Sequence, residues 1–212
     1  MADAKSVINE FYNLCTEARS DFDLYRSMFE DDPKSTELCV EYAPYFFNDF
    51  GRIITRAVVL HVCKLTDPAR TMGKPNLTTN YILEELPWGD EVKQQLTQLN
   101  DLLAVFRKKV VPARNKRIAH TDLHSQVARL EAMGTFDEGE DTKFFADLQS
   151  FFDVAYRHVH FATAPPIRLG MSTDTHKIIR AIVKATVYDQ CPRCTEAQRA
   201  NDVLDFEALA RW

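Results

Sequence analysis

Apolar residues recur at every third or fourth position along most of this 212-residue chain, and that spacing decides the fold class. In an α-helix such positions share one face, which must be covered by another helix. Residues 4–30 carry the pattern through Ile8, Phe11/Tyr12, Cys15, Ala18, Phe22, Tyr25 and Phe29, and Asp31-Asp32-Pro33 stops it. A short turn of helix is expected over 35–43. Pro44 suits a helix start, and Phe46/Phe47, Phe50, Ile53/Ile54, Ala57/Val58, His61 and Leu65 continue the pattern until Asp67-Pro68. Residues 66–79 read as a loop, after which Asn76 or Thr78 caps a short helix through Leu86. Pro87-Trp88-Gly89 breaks the pattern again. A long helix begins near Asp90 with Val92, Leu96, Leu99, Leu102/Leu103 and Phe106 inward, and Pro112 kinks or divides it. Further helices are expected over 123–133, 142–161 and 174–188. No stretch alternates with period two, so the expected fold is all-α: five or six helices in an up-and-down bundle.

Ala164-Pro165-Pro166 is the best boundary. It divides the chain into a helical bundle, 1–164, and a C-terminal helical extension with a polar tail, 165–212. Fourteen Phe and seven Tyr supply much of the core, and six Gly are too few for a turn-rich β-sandwich or barrel. No apolar run reaches the roughly 20 residues that span a bilayer. The opening Met-Ala-Asp-Ala-Lys-Ser lacks a signal-peptide core, so a cytoplasmic protein is expected. Five Cys are an odd number, and Cys15, Cys39 and Cys63 fall at apolar helical positions, as buried free thiols would.

Charge is distributed unevenly. The formal net charge is -5, which argues against a protein coated in nucleic acid but allows a local basic site. Between Arg107 and Arg117 every ionisable side chain is positive: Arg107, Lys108, Lys109, Arg114, Lys116 and Arg117. His120 follows, in the string Arg114-Asn115-Lys116-Arg117-Ile118-Ala119-His120-Thr121-Asp122. On a continuous helix Arg114 and His120 lie about 9 Å apart along the axis and about 120° apart around it. Arg117, three residues from each, joins them into one polar ridge. Guanidinium forks, ammonium groups and one imidazole are what a phosphate ligand requires. The same cations also suit a solvated helix end, where they favour the macrodipole.

The string Arg114-Asn115, four residues, then His120 resembles the signature of HEPN-domain proteins. In its fuller form it is similar to the AbiU-type, abortive-infection branch, as are Leu65-Thr66-Asp67-Pro68, Gly73 and Asn76-Leu77-Thr78 upstream. The resemblance covers 4–163. It implies a helical bundle that usually dimerises and brings two Arg/His motifs into one cleft. It also implies a metal-independent, cofactor-free endoribonuclease of phage defence or a toxin–antitoxin system, with an antitoxin protein as a further partner. Other members of the family only bind RNA or nucleotides, so a non-catalytic binding module of the same fold is the alternative, and a purely structural interaction protein is a second.

RNA, whether tRNA or mRNA, is the expected substrate. Cleavage through the neighbouring 2′-hydroxyl needs a proton-transfer group, His120, and positive charge at the developing phosphorane, Arg114. Asn115 orients the phosphate or His120. Lys116, Arg117, Arg107, Lys108 and Lys109 are the expected RNA-backbone contacts. Cys191 and Cys194 form a lone CxxC pair without a second pair at zinc-finger spacing. His158 and His160 read as ordinary helix-end residues, and Asp49 and Arg56 as partners in a structural ion pair or an interface.

Overall fold

The periodicity is realised as helix wherever the chain is described. The computed structural model describes residues 3–115, 137–168 and 172–189. Among them are seven helices: α1 (Ala4–Phe29), α2 (Pro33–Tyr42), α3 (Pro44–Thr66), α4 (Thr79–Glu85), α5 (Asp90–Ala113), α6 (Glu140–His160) and α7 (Ser172–Asp189). The fold is all-α. Pro33 and Pro44 stand at helix starts, where the missing amide proton costs no hydrogen bond. Thr78 Oγ1 accepts from the Tyr81 amide and caps α4.

One local feature was hidden in the expected loop 66–79. Two-residue strands β1 (Arg70–Thr71) and β2 (Lys74–Pro75) pair antiparallel, Arg70 opposite Pro75 and Thr71 opposite Lys74. Met72 and Gly73 join them with positive φ, 50° and 78°, the conformation that a two-residue hairpin loop requires. Strands this short hold no apolar alternation, so periodicity cannot reveal them.

The chain forms two compact units. The first comprises Met1–Phe22 and Ile53–Leu169. Its core is aromatic: Phe11 meets Phe151 edge-on at 6.1 Å, Tyr12 stacks on Phe152 at 5.2 Å and Phe22 on Phe145 at 4.4 Å. Across the α5–α6 contact Phe106 lies 5.3 Å from Phe144, and Leu96, Leu103 and Leu148 are fully buried. Pro165-Pro166 is pinned to this unit. The Pro166 carbonyl accepts from the Tyr12 hydroxyl, the Ile167 amide donates to Gln149 Oε1 at 2.6 Å, and Ile167 is buried.

The second unit comprises Asp23–Arg52 and Gly170–Trp212. Its described core is Met28, Cys39, Phe47 and Ile179, and α2 packs on α7. The change of unit near residue 169 lies a few residues beyond the boundary expected at 164. Segment 23–52, placed by periodicity in the bundle, groups instead with the C-terminal segment. Asp49 pairs with Arg52, one turn on, rather than with Arg56. Cys15, Cys39 and Cys63 are buried free thiols. The expected helix over 123–133 and Cys191 and Cys194 lie outside the described residues. Among the described residues, no helix is long and apolar enough to cross a membrane.

Candidate functional site

The site begins where α3 ends. Pro68 bars the helical conformation at the preceding residue, so Asp67 leaves the helix. Its backbone is held from two other helices. Asn80 of α4 donates through Nδ2 to the Thr66 and Asp67 carbonyls at 3.1 and 2.9 Å, and Asn100 of α5 donates to Asn80 Oδ1 at 2.9 Å. From the following loop, Asn76 Nδ2 donates to the Pro68 carbonyl and to Thr71 Oγ1. These amides fix a carboxylate whose side chain is only 18% exposed.

Two guanidiniums converge on that carboxylate. Arg107 and Arg114 stand two turns apart, so both project from one face of α5. Arg107 Nη2 donates to Asp67 Oδ1 at 2.9 Å and Arg114 Nη2 to Oδ2 at 3.4 Å. The helix runs through Pro112 rather than dividing there. Pro112 lacks the amide proton that would bond the Lys108 carbonyl, and the backbone takes a π-type pattern at Arg114-Asn115. Asn115 is exposed and accepts from Arg114 Nη1 at 3.5 Å.

The basic run does not act as one block. Lys109 is bound to both oxygens of Glu140, at 2.6 and 2.7 Å, and Arg107 is paired with Asp67. Lys108 is exposed. Lys116, Arg117 and His120 lie outside the described residues. Of the expected site residues, the structure therefore brings together Arg107, Arg114 and Asn115, and it turns Lys109 towards α6.

Arg114 and Asp67 line a cleft of about 540 Å³. Leu14 and Glu17 of α1, His61, Lys64 and Leu65 of α3, and Thr71 and 75–78 of the hairpin segment complete it. His61 Nε2 lies 3.1 Å from Asp21 Oδ2 and is 12% exposed. Burial pushes the Cys63 thiol up; nearby Asp67 adds to this, while Arg114 and Arg107 oppose it. In the sequence His61 is one position on an apolar helix face and Asp67 part of a helix stop. The only local signal was an ionisable residue on or beside an apolar stripe, which does not name its partner. Among the described residues no three of His, Cys, Asp and Glu gather as a metal site.

The all-α fold is of the HEPN type, and a family model described as AbiU2 matches residues 4–174, into the first turn of α7. The chain belongs to this AbiU2 family of HEPN proteins. It is a HEPN-type module of the abortive-infection or toxin kind. No curated protein and no solved structure matches it.

Proposed function

We propose that this chain is a metal-independent endoribonuclease that acts in phage defence or as the toxin of a toxin–antitoxin pair. The observation that carries the reading is Arg114. The first residue of the Arg/His motif stands at the end of α5, in the wall of a cleft, with its guanidinium oriented by a carboxylate. In the reaction the RNA 2′-oxygen attacks the adjacent phosphorus and the bond to the 5′-oxygen breaks. The products are a 2′,3′-cyclic phosphate and a 5′-hydroxyl. Arg114 stabilises the charge that grows on the phosphoryl oxygens. His120 moves a proton. Asn115 orients the phosphate, and Lys108, Lys116 and Arg117 hold flanking phosphates. A homodimer in the cytoplasm, with the two motifs near the two-fold axis, completes the proposal.

One observation favours the alternative, a non-catalytic module that binds RNA, a nucleotide or a partner protein. Asp67 already offsets the charge of Arg114 and Arg107. Cleavage of total tRNA and single-stranded RNA in EDTA decides between them. His120→Ala and Arg114→Ala should each cut the rate by roughly 100-fold. Lys116→Ala should mainly weaken binding and flatten its salt dependence. A 2′-deoxy substrate should be bound but not cut. Binding without cleavage by the wild type would move the assignment to the alternative.

A further inference from the structure

Transfer of the phosphoryl group to the 2′-oxygen moves two protons. One leaves the 2′-hydroxyl and one arrives at the departing 5′-oxygen. The motif supplies a single imidazole, His120. The cleft lined by Arg114 is lined also by an imidazole outside the motif, His61, among groups that chemistry can use.

His61 projects from the last two turns of α3, on the face that also carries Lys64 and Leu65. Opposite it, Leu14 and Glu17 of α1 line the same cleft, and Asp21 stands one turn beyond Glu17. The Asp21 carboxylate meets His61 Nε2 at 3.1 Å, across 40 residues of sequence. A carboxylate oxygen only accepts, so Nε2 carries the proton and donates. In neutral imidazole the lone pair then sits on Nδ1, which makes no hydrogen bond to a described residue. An imidazole with one nitrogen tied to a carboxylate and the other bearing a lone pair is a base with its orientation set. The charged groups around it are Asp21 and Glu17 from α1, Lys64 and Asp67 from α3 and its end, and Arg114 from α5.

We infer that His61, oriented by Asp21, is a proton-transfer group of the Arg114 cleft. It takes the 2′-hydroxyl proton while His120 delivers one to the 5′-oxygen. The inference rests on the ribonuclease reading and adds a residue that the family motif does not contain. Atoms balance without a metal: the 2′-oxygen to phosphorus bond forms, the phosphorus to 5′-oxygen bond breaks, and one proton passes through each imidazole. Asp21 acts through His61 and is a positioning residue.

A purely structural role for the pair, as a tie between α1 and α3, makes different predictions. His61→Gln keeps an amide that donates to Asp21, and so keeps the tie, but it cannot move a proton. The test compares wild type, His61→Gln, His61→Ala and His120→Ala on labelled single-stranded RNA in EDTA, across pH. His61→Gln should lose roughly 100-fold in kcat with KM little changed, and with it the limb where rate rises with pH. Added imidazole should restore part of the activity of His61→Ala, which a lost packing contact would not allow. If His61→Gln cleaves like the wild type while His120→Ala does not, the inference falls and the ribonuclease reading stands. If His61→Gln is inactive but His61→Ala, still folded by circular dichroism, gains nothing from imidazole, the pair is structural and the inference also falls. If the wild type binds RNA and cleaves none, both fall together.

Discussion

Asp67 is the residue on which the site turns. One carboxylate serves two guanidiniums, and the side-chain amides of Asn80 and Asn76 hold its helix end and loop, Asn80 being held in turn by Asn100. Removing it leaves Arg107 and Arg114 facing each other without a counterion. Asp67→Ala should therefore destabilise the protein, by about 1–2 kcal/mol once partial solvent exposure of the arginines is allowed for. Urea denaturation measures this, and a change within experimental error would show that the pair is held by the helices alone. Cys63 lies beside the same charges. Because burial pushes its thiol up, it stays protonated at neutral pH and should resist iodoacetamide until the protein unfolds. Mass spectrometry of native and denatured samples reads the difference, and rapid native modification would contradict the burial.

At the scale of elements, α6 ties the first unit together through its middle and its first turn. Its middle is apolar: Phe151 is fully buried with Phe11 at its edge, so Phe151→Ala should cost about 3–5 kcal/mol. A loss below 1 kcal/mol in equilibrium unfolding would mean that the core refills the space. Its first turn is electrostatic. Glu140 accepts from Lys109 and from the Asp137 amide, and these bonds hold its carboxyl below the usual carboxylate range. A depressed folded pKa means that the native state binds fewer protons than the unfolded chain. The contribution is therefore full above the ordinary carboxylate pKa and is lost as pH falls through the depressed one. Glu140→Gln should be less stable than the wild type at neutral pH, and the gap should close in acid. A gap that persists unchanged in acid would assign the effect to packing rather than to charge.

At the scale of the molecule, two compact units share helices: α1 and α3 each contribute to both. A sequence boundary at Pro165-Pro166 is reasonable chemistry, since two consecutive prolines cannot continue a helix. Yet the prolines are held by Tyr12 and Gln149, and the grouping of 23–52 with 170–212 is made by the Met28–Cys39–Phe47–Ile179 cluster. The proposed homodimer is tested at this scale. Light scattering at micromolar concentration should give about twice the chain mass of 24.4 kDa. A monomer mass would require each Arg/His motif to work alone.

Helices were legible in the sequence because an apolar residue every third or fourth position is a local property. The expected 4–30, 44–65 and 142–161 became Ala4–Phe29, Pro44–Thr66 and Glu140–His160. The last starts earlier because Glu140 and Asp141 suit a helix N-terminus after Gly139, whose φ is 85°. The Arg114 motif was legible as a resemblance, and the family followed from it. The companions of Arg114 were not. Asp67 lies 47 residues from Arg114 and 40 from Arg107, Asp21 lies 40 from His61, and Glu140 lies 31 from Lys109. Which carboxylate meets which cation depends on how helices cross, and that is settled by the summed burial of rings such as Phe11, Phe145 and Phe151. No spacing rule in the sequence encodes it. The residues alone determined an all-α chain with a basic, Arg-led motif. Only tertiary packing decided that Asp67 clamps two arginines and that a histidine from an apolar helix face opens onto the same cleft.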